Sequence, residues 1–181
     1  MPGGVLTYCA FGAHNGDTCN EVGQSGGSAF HQTLTPWAMF IGEYRHNLDD
    51  KGRLQVPMKW RSKLAEGAVI TKGFDGSLKL YPLTVWQGIA EKLATLPQSQ
   101  PDARAYVRQT LAGAVDVELD KLGRVIVPTY LRQYATLKKA TVLAGLHDHM
   151  EIWDESAWEQ YISRIDQTDP AFTQTLQDIG I

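Results

Sequence analysis

The segment Leu48-Asp49-Asp50-Lys51-Gly52-Arg53-Leu54-Gln55-Val56-Pro57 returns as Leu119-Asp120-Lys121-Leu122-Gly123-Arg124-Val125-Ile126-Val127-Pro128. Both copies keep the order Leu, Asp, two variable residues, Gly, Arg, an apolar residue, a variable residue, Val and Pro. The echo runs on, because Gly73, Leu78-Lys79-Leu80-Tyr81 and Trp86 are matched by Gly145, Met150-Glu151-Ile152-Trp153 and Trp158. A chain that repeats itself at this length is built from two copies of one small unit. A unit of roughly 45 residues encloses too little apolar surface to stand alone. The two units must therefore share a core, either within one chain or by interleaving with neighbours.

Each unit reads as strand, tight turn, strand, helix and second hairpin. Glycine before the arginine supplies a positive φ, and the preceding aspartate can hydrogen-bond the turn backbone. Asp49 to Gly52 and Asp120 to Gly123 are thus hairpin tips, with Asp49, Gly52, Asp120 and Gly123 as the turn-forming residues. The short β-rich runs that follow are cut by Pro57 and Pro128, which cannot donate to a ladder but suit a helix start. Helices are predicted over Met58 to Leu64 and Thr129 to Tyr134. Strands are predicted over Ala68 to Thr71 and Ala140 to Leu143, each leading into another over Leu78 to Tyr81 or Met150 to Trp153. Thr84 and Asp154 are expected to cap the helices that carry Trp86 and Trp158. Between the units, Val85 to Leu96 and Asp102 to Val115 have helical periodicity, with Trp86, Ile89 and Leu93 on one face and Leu111 and Val115 on another; Pro97 and Pro101 separate the two. Arg104 and Arg108 lie one turn apart, placed to meet phosphate or the acidic residues of a neighbouring subunit.

A net charge of −3 over 181 residues does not announce a nucleic-acid binder, so the distribution of charge has to be read. Six Lys and Arg face three acids from Met39 to Lys63, and seven face three from Arg104 to Lys139. From Ala140 to the end a single Arg stands against eight acids. Basic charge is gathered around the two motifs. No apolar run approaches the roughly 20 residues that cross a bilayer. Residues 1–38 contain no Lys or Arg and seven Gly, and read as a disordered extension or as translated upstream sequence rather than a secretory signal. Cys9, His14 and Cys19 lack the second ligand pair that a metal site needs, and usage this sparse fits a cytoplasmic chain.

Enzyme readings find little. His147-Asp148-His149 has no third metal ligand nearby in sequence and sits where the first copy has Asp75-Gly76, so it reads as a hairpin turn. No phosphate cradle, nucleophile elbow or pair of catalytic carboxylates appears, and neither a cofactor nor a metal is expected. At the tips the plain reading is local pairing of Asp49 with Arg53 and of Asp120 with Arg124. Such bracing leaves a tip that projects Lys51 and Arg53, and arginine suits guanine as lysine suits phosphate. The first copy is the richer in sequence, with Arg45, His46, Lys59, Arg61 and Lys63 close by.

Met39-Phe40 with Gly42, the doubled Asp and Gly-Arg motif, Leu80-Tyr81-Pro82 with Trp86, Arg104 with Arg108, and Glu151-Ile152-Trp153 with Trp158 together resemble the MraZ family of bacterial transcriptional regulators, over Met39 to about Ile165. The resemblance implies an α+β fold of two AbrB-type swapped-hairpin modules sharing a barrel-like core. It further implies ring-like oligomers and binding to direct repeats upstream of the operon for cell division and wall synthesis. DNA contact is carried onto Arg53 first and Lys51 second, with Arg45 and Lys59 in support and Arg124 as more architectural. The expected layout is an extension at 1–38, modules at 39–85 and 116–160, connecting helices at 86–115 and an acidic tail at 161–181. The expected setting is the cytoplasm, in association with the nucleoid and no membrane. The alternative reading is an antitoxin-like or structural module that holds a protein partner through the acidic tail.

Overall fold

A computed structural model describes residues 39–166. Strand β1 (Phe40–Asn47) leads through the first tip into β2 (Arg53–Gln55) and helix α1 (Met58–Arg61), which continues as a 3-10 turn over Ser62–Leu64. Strands β3 (Ala68–Lys72) and β4 (Leu78–Pro82) precede helices α2 (Leu83–Ala94) and α3 (Pro101–Leu111). The second copy follows as β5 (Val115–Val117), β6 (Arg124–Ile126), α4 (Thr129–Tyr134), β7 (Ala140–His147), β8 (His149–Asp154) and α5 (Glu155–Asp166).

The pairing shows how two undersized units make one core. A six-stranded sheet runs β1-β7-β8-β4-β3-β5, and β2 pairs with β6 in a separate two-stranded ribbon. Four of these pairings join the first copy to the second: β1 to β7, β3 to β5, β4 to β8, and β2 to β6, all antiparallel. The hairpins are thus exchanged between the repeats, and the core is shared. It gathers Leu54, Val56, Trp60 and Leu64 with their counterparts Val125, Val127, Leu131 and Ala135, together with Ile70, Leu78, Leu80, Leu143, Met150 and Ile152. Trp60 is held edge-on by Phe40 and Tyr44, at ring distances of 5.7 and 4.9 Å.

Proline sets the element boundaries. Pro57 and Pro128 each stand immediately before a helix with φ near −55°, ending a strand and starting α1 or α4 as expected. Pro82 does the same for α2, so that helix begins at Leu83 and Thr84 lies inside it rather than capping it. Asp154 does act at a helix start: its Oδ1 accepts from the Ser156 amide at 3.2 Å and its Oδ2 from the Lys138 amide at 3.1 Å. The second connecting helix stops at Leu111, short of the expected Val115. Gly113 is buried in the turn that follows, and Val115 instead opens β5, paired with Ile70 of β3. Helix α5 extends into the expected tail and brings Tyr161 within 5.0 Å of Trp153, ring to ring. Among the described residues, no helix is long and apolar enough to cross a membrane. Cys9, His14, Cys19 and the rest of residues 1–38 lie outside the described residues.

Candidate functional site

The two tips share one pattern of hydrogen bonds. Asp49 Oδ1 accepts from the amides of Lys51 and Arg53, both at 2.9 Å, and Oδ2 accepts from Arg53 Nε at 2.6 Å. Asp120 Oδ1 accepts from the amides of Leu122 at 2.9 Å and Arg124 at 3.0 Å, and Oδ2 from Arg124 Nε at 2.8 Å. Main-chain bonds from Gly52 N to Asp49 O and from Gly123 N to Asp120 O close the loops, with φ of 76° and 75° at the glycines. An aspartate that accepts three hydrogen bonds is stabilised as the anion. The Arg124 side chain is the chief cause that holds the Asp120 carboxyl down at about 2, and the Arg53 amide is the chief cause that lowers Asp49.

The tips are joined by the ribbon. Arg53 pairs with Ile126, Leu54 with Val125 and Gln55 with Arg124. Alternation then sorts the side chains: Leu54 and Val125 point into the core, fully buried, while Arg53, Gln55, Arg124 and Ile126 share the outer face. Cross-bonds lock one tip to the other strand, from Val56 N to Gly123 O at 3.0 Å and from Val127 N to Gly52 O at 2.8 Å. Gln55 Nε2 also donates to the carbonyls of Leu122 and Gly123. Lys51, Lys121 and Leu122 flank this face, all exposed. Each arginine uses one edge on its aspartate, and a guanidinium has five N–H donors, so each keeps donors to offer.

The basic residues that crowd Arg53 in sequence do not crowd it in space. Arg45 is engaged by two carboxylates, Glu43 at 2.8 Å and Glu155 at 2.9 Å. Lys59 donates to the Ile41 carbonyl at 2.9 Å and lies over the rings of Tyr44 and Trp60. Lys63 donates to the Met39 carbonyl and lies over Phe40. Arg61 packs against Gly123 of the second tip, while Arg132 packs against Gly52 of the first. Two cationic residues therefore serve the tip of the opposite copy. The signal for them was in the repeat, since both stand four residues after the paired prolines.

Other expected features fall elsewhere. Arg104 donates to the Gln98 carbonyl at 2.7 Å and Arg108 is exposed on α3. His149 lies 2.7 Å from Asp148 and stacks on Tyr81 at 4.7 Å. Among the described residues there is no group of three or more His, Cys, Asp or Glu side chains arranged to hold a metal ion.

Hairpins exchanged between two tandem repeats, with an arginine-bearing ribbon where the repeats meet, define a swapped-hairpin protein whose pseudo-dimer is contained in one chain. The chain belongs to the MraZ family: the family model described as "MraZ protein, putative antitoxin-like" matches it twice, over residues 39–109 and 110–179. It is 44% identical over 143 residues to the transcriptional regulator MraZ of Herpetosiphon aurantiacus, covering 79% of this chain and 100% of that one. Identity and coverage are the same with the transcriptional regulator MraZ of Desulfitobacterium hafniense, and identity is 41% with that of Caldanaerobacter subterraneus over the same span.

Proposed function

We propose that this chain is a sequence-specific DNA-binding regulator of transcription that presents the β2–β6 ribbon to double-stranded DNA. The observation that carries this reading is the outer face of the ribbon, where Arg53 stands opposite Ile126 and Arg124 opposite Gln55, the two arginines braced by Asp49 and Asp120 and flanked by Lys51 and Lys121. A two-stranded ribbon fits a major groove, and a pre-positioned arginine makes bidentate contact with guanine at low entropic cost. The relatives named as transcriptional regulators support the same role. The reaction class is binding alone, with no chemistry performed on the nucleic acid.

The finer reading is a repressor of the cell-division and cell-wall operon that acts in the cytoplasm at the nucleoid. One ribbon offers few base-reading groups, and a net charge of −3 gives little general attraction to DNA. Several ribbons on a ring-like homo-oligomer, each meeting one direct repeat, supply the missing affinity through effective concentration. Strand β1 lies at a sheet edge with Ile41 57% exposed, which leaves apolar surface for such assembly. Fluorescence anisotropy with promoter DNA carrying one, two or three direct repeats at fixed salt tests the proposal. Affinity should rise steeply with repeat number, and scrambled DNA should bind far more weakly. Equal binding of all four duplexes would overturn it.

A further inference from the structure

Arg61 and Arg132 occupy equivalent positions in the two copies, and each reaches the other copy's tip. A Cβ placed on Gly123 would overlap Nε, Cζ and Cδ of Arg61. One placed on Gly52 would come within 3.1 Å of Cζ and Nε of Arg132 and 2.9 Å of the Val127 carbonyl. The guanidinium groups thus lie directly against the backbone of the glycines whose positive φ shapes the tips. Arg61 is itself fixed by donation from Nε to the Val56 carbonyl at 2.9 Å, and the Val56 amide in turn donates to Gly123 O. Arg132 is fixed by Thr129 Oγ1 at 2.9 Å, and its Nε is enclosed with no acceptor among the described residues.

We propose that Arg61 and Arg132 are positioning residues that act across the repeat, Arg61 setting the conformation of the tip that carries Arg124 and Arg132 that of the tip that carries Arg53. The consequence for binding rests on the ribbon being the DNA-reading surface. It reverses what sequence proximity suggests, since Arg61 is eight residues from Arg53 yet serves Arg124. A planar guanidinium can lie flat on a glycine backbone where an ammonium cannot, so the pairing is specific to arginine. Close groups that act as a unit give non-additive losses, and separated ones give losses that multiply.

Double-mutant cycles on the full chain, read by anisotropy with direct-repeat DNA, test the assignment. Arg132→Ala should lower affinity by at least about threefold and add little to Arg53→Ala, while multiplying with Arg124→Ala. Arg61→Ala should do the reverse. Coupling of Arg61 to Arg53, or multiplication in all four pairs, would overturn the proposal. Hydrogen exchange of the free protein supplies a readout that needs no DNA. Arg132→Ala should speed exchange at residues 49–53 and Arg61→Ala at 120–124, and the opposite pattern would overturn the assignment even if the chain bound no DNA at all. Arg61→Lys and Arg132→Lys keep charge and bulk should an alanine variant not fold. Each should show the same local exchange pattern as its alanine counterpart, and full recovery of wild-type exchange by lysine would overturn the assignment to the guanidinium groups.

Discussion

At the residue scale, the tips depend on an acid that must stay ionised and on a glycine that must stay bare. With Asp120 held at about 2 against its ordinary 3.8, its contribution to stability is complete above the unfolded value and is lost as pH falls from about 4 to about 2. Asp120→Asn should therefore lower the melting temperature near neutral pH, and its deficit against the wild type should shrink between pH 4 and 2. A deficit constant across that interval would show that the carboxylate is not the group titrating. Gly123→Ala should cost about 1–2 kcal/mol for the left-handed backbone alone, and more because Arg61 must be displaced. Urea midpoints measure this, and an unchanged midpoint would contradict it. The roles of Asp49, Gly52, Asp120 and Gly123 were legible from residue type and order, since few side chains make such a turn. The partners Arg61 and Arg132 were not, because a hairpin exchange carries them past the nearest tip in sequence.

At the element scale, β2 and β6 are three residues each and have no stability of their own; their partner strand and the core beneath them hold them in place. Trp60 is central to that support, being 1% exposed and wedged between Phe40 and Tyr44. Trp60→Ala should cost about 3–5 kcal/mol, checked by denaturant unfolding, whereas Met58→Ala on the same short helix, 80% exposed, should be close to neutral. Proline, glycine and alternating apolar residues made most elements readable, including α4 over Thr129–Tyr134 to the residue. Two details were not. Thr84 looked like a cap because Thr suits that position, yet Pro82 already presets the entry into α2. Val115 sits four residues after Leu111 and so extends a helical pattern, but the buried turn at Gly113 ends the helix and Val115-Asp116-Val117 continues as a strand.

At the scale of the whole molecule, the two family-matched halves of the chain are not two independent domains in the folding sense. Separated from residues 110 onward, the first half loses the partner strands of β1 and β2 and one of the two neighbours of each of β3 and β4. Residues 39–109 alone should not fold as a monomer, and a folded monomeric fragment by circular dichroism and sedimentation would contradict the exchanged topology. The doubled motif made a shared core predictable, whereas most of the basic residues close to Arg53 in sequence make their contacts at other places in the fold. Arg45, Lys59 and Lys63 are held at β1 or its approach, while Arg61 and Arg132 are traded between tips. The geometry therefore gives Arg53 and Arg124 equivalent places on the outer face of the ribbon, the face proposed to read DNA. The most direct measurement is anisotropy of Arg53→Ala, Arg124→Ala and the double variant on direct-repeat DNA, with oligomeric state verified for each. Both single substitutions should weaken binding by about 1–3 kcal/mol per ribbon and the double variant should lose discrimination against scrambled DNA; wild-type affinity in the double variant would contradict the ribbon as the reading surface.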